Sequence, residues 1–297
     1  MPDKAQIKKA VLIAGPTASG KSALALQLAR ETGGVVVNSD ATQVYDVLNV
    51  LTARPDAAAL NAATHHLYGH INPAEAYSVA AWLAQVEQLA DSGAFDLAPP
   101  IFVGGTGLYF TALTKGLSDI PAVSSEIREA WRARLAQDGA DALHAVLHER
   151  DPQMAAQLAP TDGQRILRAL EVLEASGRSL LDWRRRRSRP LVDAAEARLM
   201  VLSPDRGLLA DRIGRRFDEM LALGAVEEVR ALGELGLDPA SPALKAIGVR
   251  EISAMLVGSM TPDEAAMRAK AATRQYAKRQ MTWFRHQFGP EWERVEP

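Results

Sequence analysis

Residues Gly15 to Ser22 read GPTASGKS and fit the phosphate-loop template G-x-x-x-x-G-K-[ST]. An apolar run, AVLIAG at 10–15, leads into them, and a helix-patterned stretch, SALALQLARE at 22–31, leads out. Three physical demands select these residue types. Glycines let backbone N–H groups approach phosphate oxygens, a lysine neutralises them, and a hydroxyl reaches an accompanying metal. Lys21 and Ser22 fill the last two roles. A glycine-rich turn that merely caps a helix is the plainer alternative, and the flanking strand and helix patterns weigh against it. The stretch implies a ligand carrying a di- or triphosphate.

Working outward, short β-branched and apolar runs alternate with helical patterns: AVLIAG, SALALQLARE, GVVVNSD at 34–40, then PPIFVGGTG at 99–107 followed by LYFTALTKGL. This alternation predicts an α/β core with a parallel sheet. Residues 121–189 change character, becoming helical and charged without strand signals, and are expected to form a helical insertion domain within a core of 1–120 and 190–297. ARLMVLSPD at 197–205 predicts a returning strand, and ADRIGRRFDEMLALGAVEEVRAL at 210–232 a single long helix. A last helix is announced by TPDE at 261–264, where Thr261 caps, Pro262 opens the first turn and Glu264 completes a capping box.

The chain has 297 residues, 47% of them hydrophobic, enough for a substantial core. No apolar run approaches the roughly eighteen residues of a membrane span, and the opening stretch has too short an apolar region for a secretory signal. A cytoplasmic protein is expected. There is no cysteine, which excludes disulfides, thiol nucleophiles and cysteine-bound zinc, and an oxygen-bound metal is expected. The net charge of −2 leaves any case for a nucleic-acid partner to local basic patches.

Nucleotide hydrolases of the phosphate-loop type place an acid at the end of an apolar strand to hold Mg²⁺ and help position water. Here the strand IFV runs into glycines, and the available acid is Asp40, at the end of VVVNS. It could bind metal, accept a proton, or cap the next turn. Open α/β sheets bind ligands beyond this edge, where Thr106 of GGTG also falls. Asp40, Thr106 and the phosphate loop should converge, a layout that suits group transfer better than hydrolysis. On the last helix, at about 100° per residue, Lys270, Arg274, Lys278 and Arg285 fall within an arc of about 80°. Tyr276, Trp283 and Phe284 are interspersed. Such a stripe suits RNA, against the alternative of a solvated face over aromatic core anchors. Arg184 to Arg187 form a second basic run, either solvated or in contact with phosphates, and KAIGVRE at 245–251 a third.

With these residues in view, the chain resembles the bacterial tRNA dimethylallyltransferases. The matching stretches span nearly the whole chain, in the family's order: GPTASGKS, NSDATQVY, HHLYGHINPAEAYSVAAW, VGGTGLYF, DGQRILRALEVLEASG, SPDRGLLADRIGRRFDEML, KAIGVRE and TRQYAKRQMTWFR. The resemblance implies a P-loop NTPase-like core with a helical insertion that closes over a tRNA anticodon stem-loop. It further implies transfer of a dimethylallyl group from dimethylallyl diphosphate to N6 of adenosine 37, beside the anticodon of tRNAs reading codons that begin with U. By similarity the diphosphate is held by Gly15, Thr17, Ala18, Ser19, Gly20, Lys21, Ser22 and Arg212, with Mg²⁺ contacted through Ser22. Asp40 is then the base toward N6, and Thr106 orients it. The tRNA-contacting positions implied are Asp40, Ala41, Thr42, Gln43 and Thr106; Arg128; Thr161, Asp162, Gly163, Gln164 and Arg165; Lys245, Ala246, Ile247, Gly248, Val249 and Arg250; and Lys278, Arg279, Gln280, Met281, Thr282, Trp283, Phe284 and Arg285.

Some positions depart from the family pattern. Leu51 and Arg54, in LTARP, stand where glycine and lysine are usual; Gly69 and His70 replace an apolar and an acidic residue; Ala246 stands at a frequent cysteine and Val249 at a frequent tyrosine. None touches the proposed base or phosphate loop. His65 and His66 are read as structural, and a monomer is expected. Two rivals remain at this point: a small-molecule or nucleotide kinase using the loop for ATP, and a non-catalytic RNA-binding module.

Overall fold

The computed structural model describes residues 6–297. The chain divides into two compact units, one comprising the residues up to Thr114 together with Pro190–Pro297, the other Lys115–Arg189.

The first unit is built on a six-stranded parallel sheet, β1 (Val11–Ala14), β2 (Val35–Asn38), β3 (His65–His66), β4 (Pro100–Gly104), β5 (Arg198–Leu202) and β6 (Glu293–Val295), in the order β3-β2-β4-β1-β5-β6. Strands β2 and β4 are buried along their whole length, which is why VVVN and PIFVG read as unbroken apolar runs rather than alternating ones. Helices α1 (Lys21–Thr32), α2 (Ala57–Ala62), α3 (Val79–Asp91) and α4 (Gly107–Lys115) follow the first four strands, making the crossovers that parallel pairing requires. Fully buried Trp82 of α3 stacks on Tyr109 of α4 with centroids 4.3 Å apart, and its Nε1–H donates to the Asn38 carbonyl at 2.8 Å. One indole thus fills the core over the sheet and ties down the end of β2.

The register sets the site. Ala14 pairs with Gly104, and Asn38 with Val103, so β1, β2 and β4 all end at one level. The phosphate loop, the Asp40 turn and the Gly105–Thr106 turn therefore leave the same sheet edge side by side, as ligand-binding loops do in open parallel sheets.

The second unit contains α5 (Ser125–Arg150, broken at Gly139), α6 (Pro152–Ala155), α7 (Gly163–Ser176) and α8 (Leu180–Arg184), with no strand among its described residues. Its own core gathers Trp131, Leu143, Leu147, Ile166 and Leu170 where α5 and α7 pack together.

The chain then returns to the first unit through α9 (Arg206–Ala222), α10 (Ala225–Glu234), a 3-10 turn at Pro242–Lys245, α11 (Val249–Leu256) and α12 (Pro262–Gln287). Two expectations are corrected here. The single long helix read at 210–232 is two helices, because Gly224 takes a left-handed φ of 104° that no helix interior accommodates. Thr261 caps α12 through its hydroxyl on the Glu264 N–H at 3.3 Å, but the Glu264 carboxylate turns to Arg268 at 2.6 Å instead of closing a capping box. His65 and His66, read as structural, form the short edge strand β3.

Candidate active site

The phosphate loop runs from β1 into α1. Ala18 (φ 62°) and Gly20 (φ 88°) adopt the left-handed conformations from which anion-cradling nests are made. Lys21 folds across the loop, its Nζ donating to the Pro16 carbonyl at 3.2 Å. Burial lowers its pKa to about 8, with Asp40 opposing the shift and Arg216 adding to it, so these three charges share one locality. Ser19 Oγ is buried with no hydrogen-bond partner among the described residues.

Asp40 is fixed from two sides. The buried side chain of Asn38 brackets its backbone, Oδ1 accepting from the Asp40 N–H at 2.8 Å and Nδ2 donating to the Asp40 carbonyl at 3.0 Å. Asp40 Oδ1 accepts from the backbone N–H of Thr42 at 3.0 Å and from its hydroxyl at 2.8 Å. Oδ1 is thereby taken up by the turn, whereas Oδ2 has no hydrogen-bond partner among the described residues. Thr106 Oγ1 accepts from the Ala41 N–H at 2.9 Å, which leaves its own proton to donate. Burial, reinforced by the Asp40 charge, raises the phenols of Tyr68 and Tyr276; it also raises that of Tyr109, where Tyr77 contributes as well. These phenols stay neutral around the carboxylate.

Gln280 of α12 joins the two loops. Its Oε1 accepts from the Thr17 N–H at 3.0 Å and its Nε2 donates to the Gly105 carbonyl at 2.9 Å. A side chain at Gly105 would meet both Gln280 Nε2 and, at 3.1 Å, Asp40 Oδ2, so this close approach needs glycine. Gln280, expected among RNA-contacting residues, is 6% exposed and holds the site together from within.

The arginine that reaches the loop is Arg216, whose Nη1 donates to Thr17 Oγ1 at 3.4 Å. Burial lowers its pKa while Asp40 and Glu219 oppose the shift. Similarity had placed this role on Arg212, one turn earlier on α9. Helical spacing presents both toward one side, and only the tertiary contact separates them.

The segment after Asp40 is held by a carboxylate. Glu228 of α10 accepts the N–H groups of Asn49 (2.9 Å) and Val50 (2.6 Å) through Oε1 and that of Leu51 (2.9 Å) through Oε2. Gln43 Nε2 donates to the Thr52 and Ala53 carbonyls, each at 2.9 Å. Two departures from the family pattern lie against one another: the Arg54 guanidinium occupies the space a side chain at Gly69 would need, and donates to the Tyr45 and Asp46 carbonyls. Leu51 is buried and packs against Gly248.

The remaining sequence-predicted positions separate by exposure. On α12, Lys278, Arg279, Thr282 and Arg285 are exposed, Met281 and Trp283 half-buried, and Phe284 buried in the main core. Arg274, Lys278 and Arg285 line a groove between α9 and α12 with Arg206, over a floor of Leu209, Ile213 and Ala277. Lys270 drops out of the basic stripe, because Asp218 neutralises it at 2.6 Å. Lys245 and Arg250 are exposed and Ile247 half-buried, whereas Ala246, Gly248 and Val249 are buried and so are corrected from RNA contacts to packing positions. Phe284 is corrected likewise from RNA contact to core anchor, since α12 must bury an apolar face to pack on the sheet. In the second unit, Arg128, Thr161 and Gln164 are exposed and Gly163 half-buried, while Asp162 caps α7 by accepting from the Arg165 N–H and pairs with the Arg165 guanidinium at 3.4 Å.

A parallel sheet ending in a phosphate loop, with a carboxylate and two half-buried cations at that loop, defines a P-loop NTPase-like protein equipped for group transfer. The chain belongs to the IPP transferase family, whose model matches residues 43–287, and an isopentenyl transferase model matches residues 8–74. A tRNA dimethylallyltransferase of Mesorhizobium japonicum is 59% identical over 292 residues, 98% of this chain and 91% of that protein. A crystal structure of the tRNA isopentenylpyrophosphate transferase of Bacillus halodurans aligns with TM-score 0.68 and 32% identity over 97% of this chain and 90% of its own. A eukaryotic dimethylallyltransferase captured acting on tRNA aligns with TM-score 0.80 and 26% identity over 96% and 71% respectively.

Proposed function

We propose that this chain transfers the dimethylallyl group of dimethylallyl diphosphate to N6 of adenosine 37 in tRNAs reading codons that begin with U, giving N6-isopentenyladenosine. The observation that carries this reading is the placement of a half-free carboxylate, Asp40, within electrostatic reach of the half-buried cations Lys21 and Arg216 at one sheet edge. The N6 lone pair attacks the allylic carbon, the carbon–oxygen bond breaks, pyrophosphate leaves with the electron pair, and the N6 proton passes to Asp40 Oδ2. An exocyclic amine is a weak nucleophile, so the rate rests on placing it against the carbon while fixed positive charge receives the leaving group. Lys21, Arg216 and the loop N–H groups supply that charge. Thr106, whose Oγ1 accepts from the Ala41 N–H, keeps a hydroxyl proton with which to orient the adenine, and the neutral phenols near Asp40 add no competing negative charge. The adenine must leave its stack to arrive there, which is base flipping in the usual sense.

Mg²⁺ fits this donor set. Ser22 offers an exposed hydroxyl at the start of α1, beside the phosphate loop, and no group of three His, Cys, Asp or Glu among the described residues forms a dedicated cage. Magnesium commonly sits between one or two protein ligands, phosphate oxygens and water. Held through Ser22, it would neutralise charge on the diphosphate. No helix of the described residues is long and apolar enough to cross a membrane. A tRNA substrate is what leads us to read the protein as cytoplasmic, and a monomer stays our working expectation.

The test is mass spectrometry of an unmodified tRNA carrying adenosines 36 to 38 after incubation with the protein, Mg²⁺ and dimethylallyl diphosphate. A single isopentenyl addition at the middle adenosine is expected. No addition, together with ATP consumption on a small hydroxyl acceptor, would replace this reading with a kinase.

A further inference from the structure

The stretch Arg178 to Arg189 carries six arginines against one acid, Asp182, in a chain whose net charge is −2. Arg184, Arg185, Arg186 and Arg187 are all exposed. Asp182 approaches Arg185 only to 3.9 Å, and among the described residues no carboxylate pairs with Arg184, Arg186 or Arg187. A mobile tail could carry such charge without consequence, but this backbone is pinned at both ends. The Ser188 N–H donates to the Leu117 carbonyl at 2.7 Å, the Ser188 hydroxyl accepts from the Leu117 N–H at 3.1 Å, and Arg187 bridges to Ser118 in antiparallel fashion. On the other side Trp183 is anchored by its Nε1–H on Ser176 Oγ at 3.1 Å, with the Arg178 guanidinium over its ring at 5.9 Å. The result is a concavity of about 360 Å³ lined by Arg178, Asp182, Trp183, Arg185 and Arg186.

We propose that this arginine ledge is a dedicated contact for the phosphate backbone of the RNA substrate, outside every segment the family resemblance assigns to tRNA. The proposal rests on the functional reading above. Closely spaced cations without carboxylate partners, held on a constrained backbone, present a local positive field that suits a polyanion with closely spaced charges, which RNA supplies. Guanidinium forks suit phosphate geometry better than ammonium points do, in keeping with a run made wholly of arginine.

The experiment measures binding of the unmodified tRNA by anisotropy over a series of KCl concentrations. It compares wild type, the fourfold Arg→Gln variant of 184–187, the two double variants Arg184→Gln/Arg185→Gln and Arg186→Gln/Arg187→Gln, and the fourfold Arg→Lys variant. Since log K falls with log salt in proportion to the phosphates neutralised, the fourfold Gln variant should weaken binding by about tenfold at moderate salt and flatten the slope by roughly 1 to 3. The double variants should fall between, and the Lys variant should restore the slope without the full affinity. Melting temperatures check folding, and the double variants keep the test open if the fourfold variant melts early. Unchanged affinity and slope in a wild-type background that binds and prenylates tRNA would overturn the ledge alone. A wild type that neither binds nor modifies tRNA would overturn both this inference and the reading beneath it.

Discussion

Two charged regions of this molecule treat charge in opposite ways. At the sheet edge Lys21, Arg216 and Asp40 are crowded together, partly buried, each shaping its surroundings. Burial holds the lysine at about 8, and a network of amides and hydroxyls fixes the carboxylate on one oxygen only. On the Arg184–Arg187 ledge the charges are exposed and mostly unpaired, and only the backbone is constrained. The first arrangement is costly to build and gives each group a defined partner, as chemistry demands. The second costs little and specifies only a sign and a spacing, which is what binding a polyanion demands.

The largest expected effects lie at the sheet edge. Lys21→Ala removes charge from the leaving group and should cost on the order of 10²–10³ in kcat, read by steady-state prenylation. Arg216→Ala should cost about 10², and Arg212→Ala only a few-fold. Equal losses for the two arginines would erase the distinction drawn from the Thr17 contact. Glu228→Gln leaves three N–H groups sharing a neutral acceptor and should lower stability by about 1–3 kcal/mol in urea unfolding. In that variant KM for tRNA should rise more than KM for the diphosphate, because the loosened segment follows Asp40 rather than the phosphate loop.

The pH response is gentler. A diphosphate binds the protonated lysine better, so donor affinity should decline as pH passes about 8, by at most about tenfold per unit. Calorimetry in buffers of different ionisation enthalpy should also show proton uptake on binding above that point. Stability has the opposite sign. Between about 8 and lysine's ordinary pKa the unfolded chain binds the extra proton, so this group's contribution to stability rises with pH. A donor affinity flat to pH 9.5 would mean that Lys21 titrates in its usual range.

Much of the fold was legible because parallel strands buried on both faces leave unbroken apolar runs. β1, β2, β4 and β5 announce themselves this way. β3 and β6 do not: they are two and three residues long, polar, and at the sheet edges, where pairing depends on what the rest of the sheet has already placed. The split at Gly224 was visible as a glycine but not as a turn, since the apolar periodicity resumes on the far side. In the site, Lys21, Asp40 and Thr106 could be named because each sits just past a readable strand. The roles of Asn38, Arg216, Glu228 and Gln280 could not, because they exist only through folding. Gln280 reaches Thr17 across 263 positions and Glu228 reaches Asn49 across 179. Nothing local distinguishes Arg216 from Arg212, or buried Phe284 from its half-exposed neighbour Trp283.

The most direct test of the account is a single-turnover measurement on Asp40→Asn with dimethylallyl diphosphate already bound and unmodified tRNA in excess. Asparagine can keep the cap on Thr42 but cannot take a proton, so transfer should slow by about 10³ while donor and RNA affinities stay within a few-fold of wild type. A transfer rate close to wild type would show that Asp40 only shapes the turn, and that the proton leaves N6 by another route.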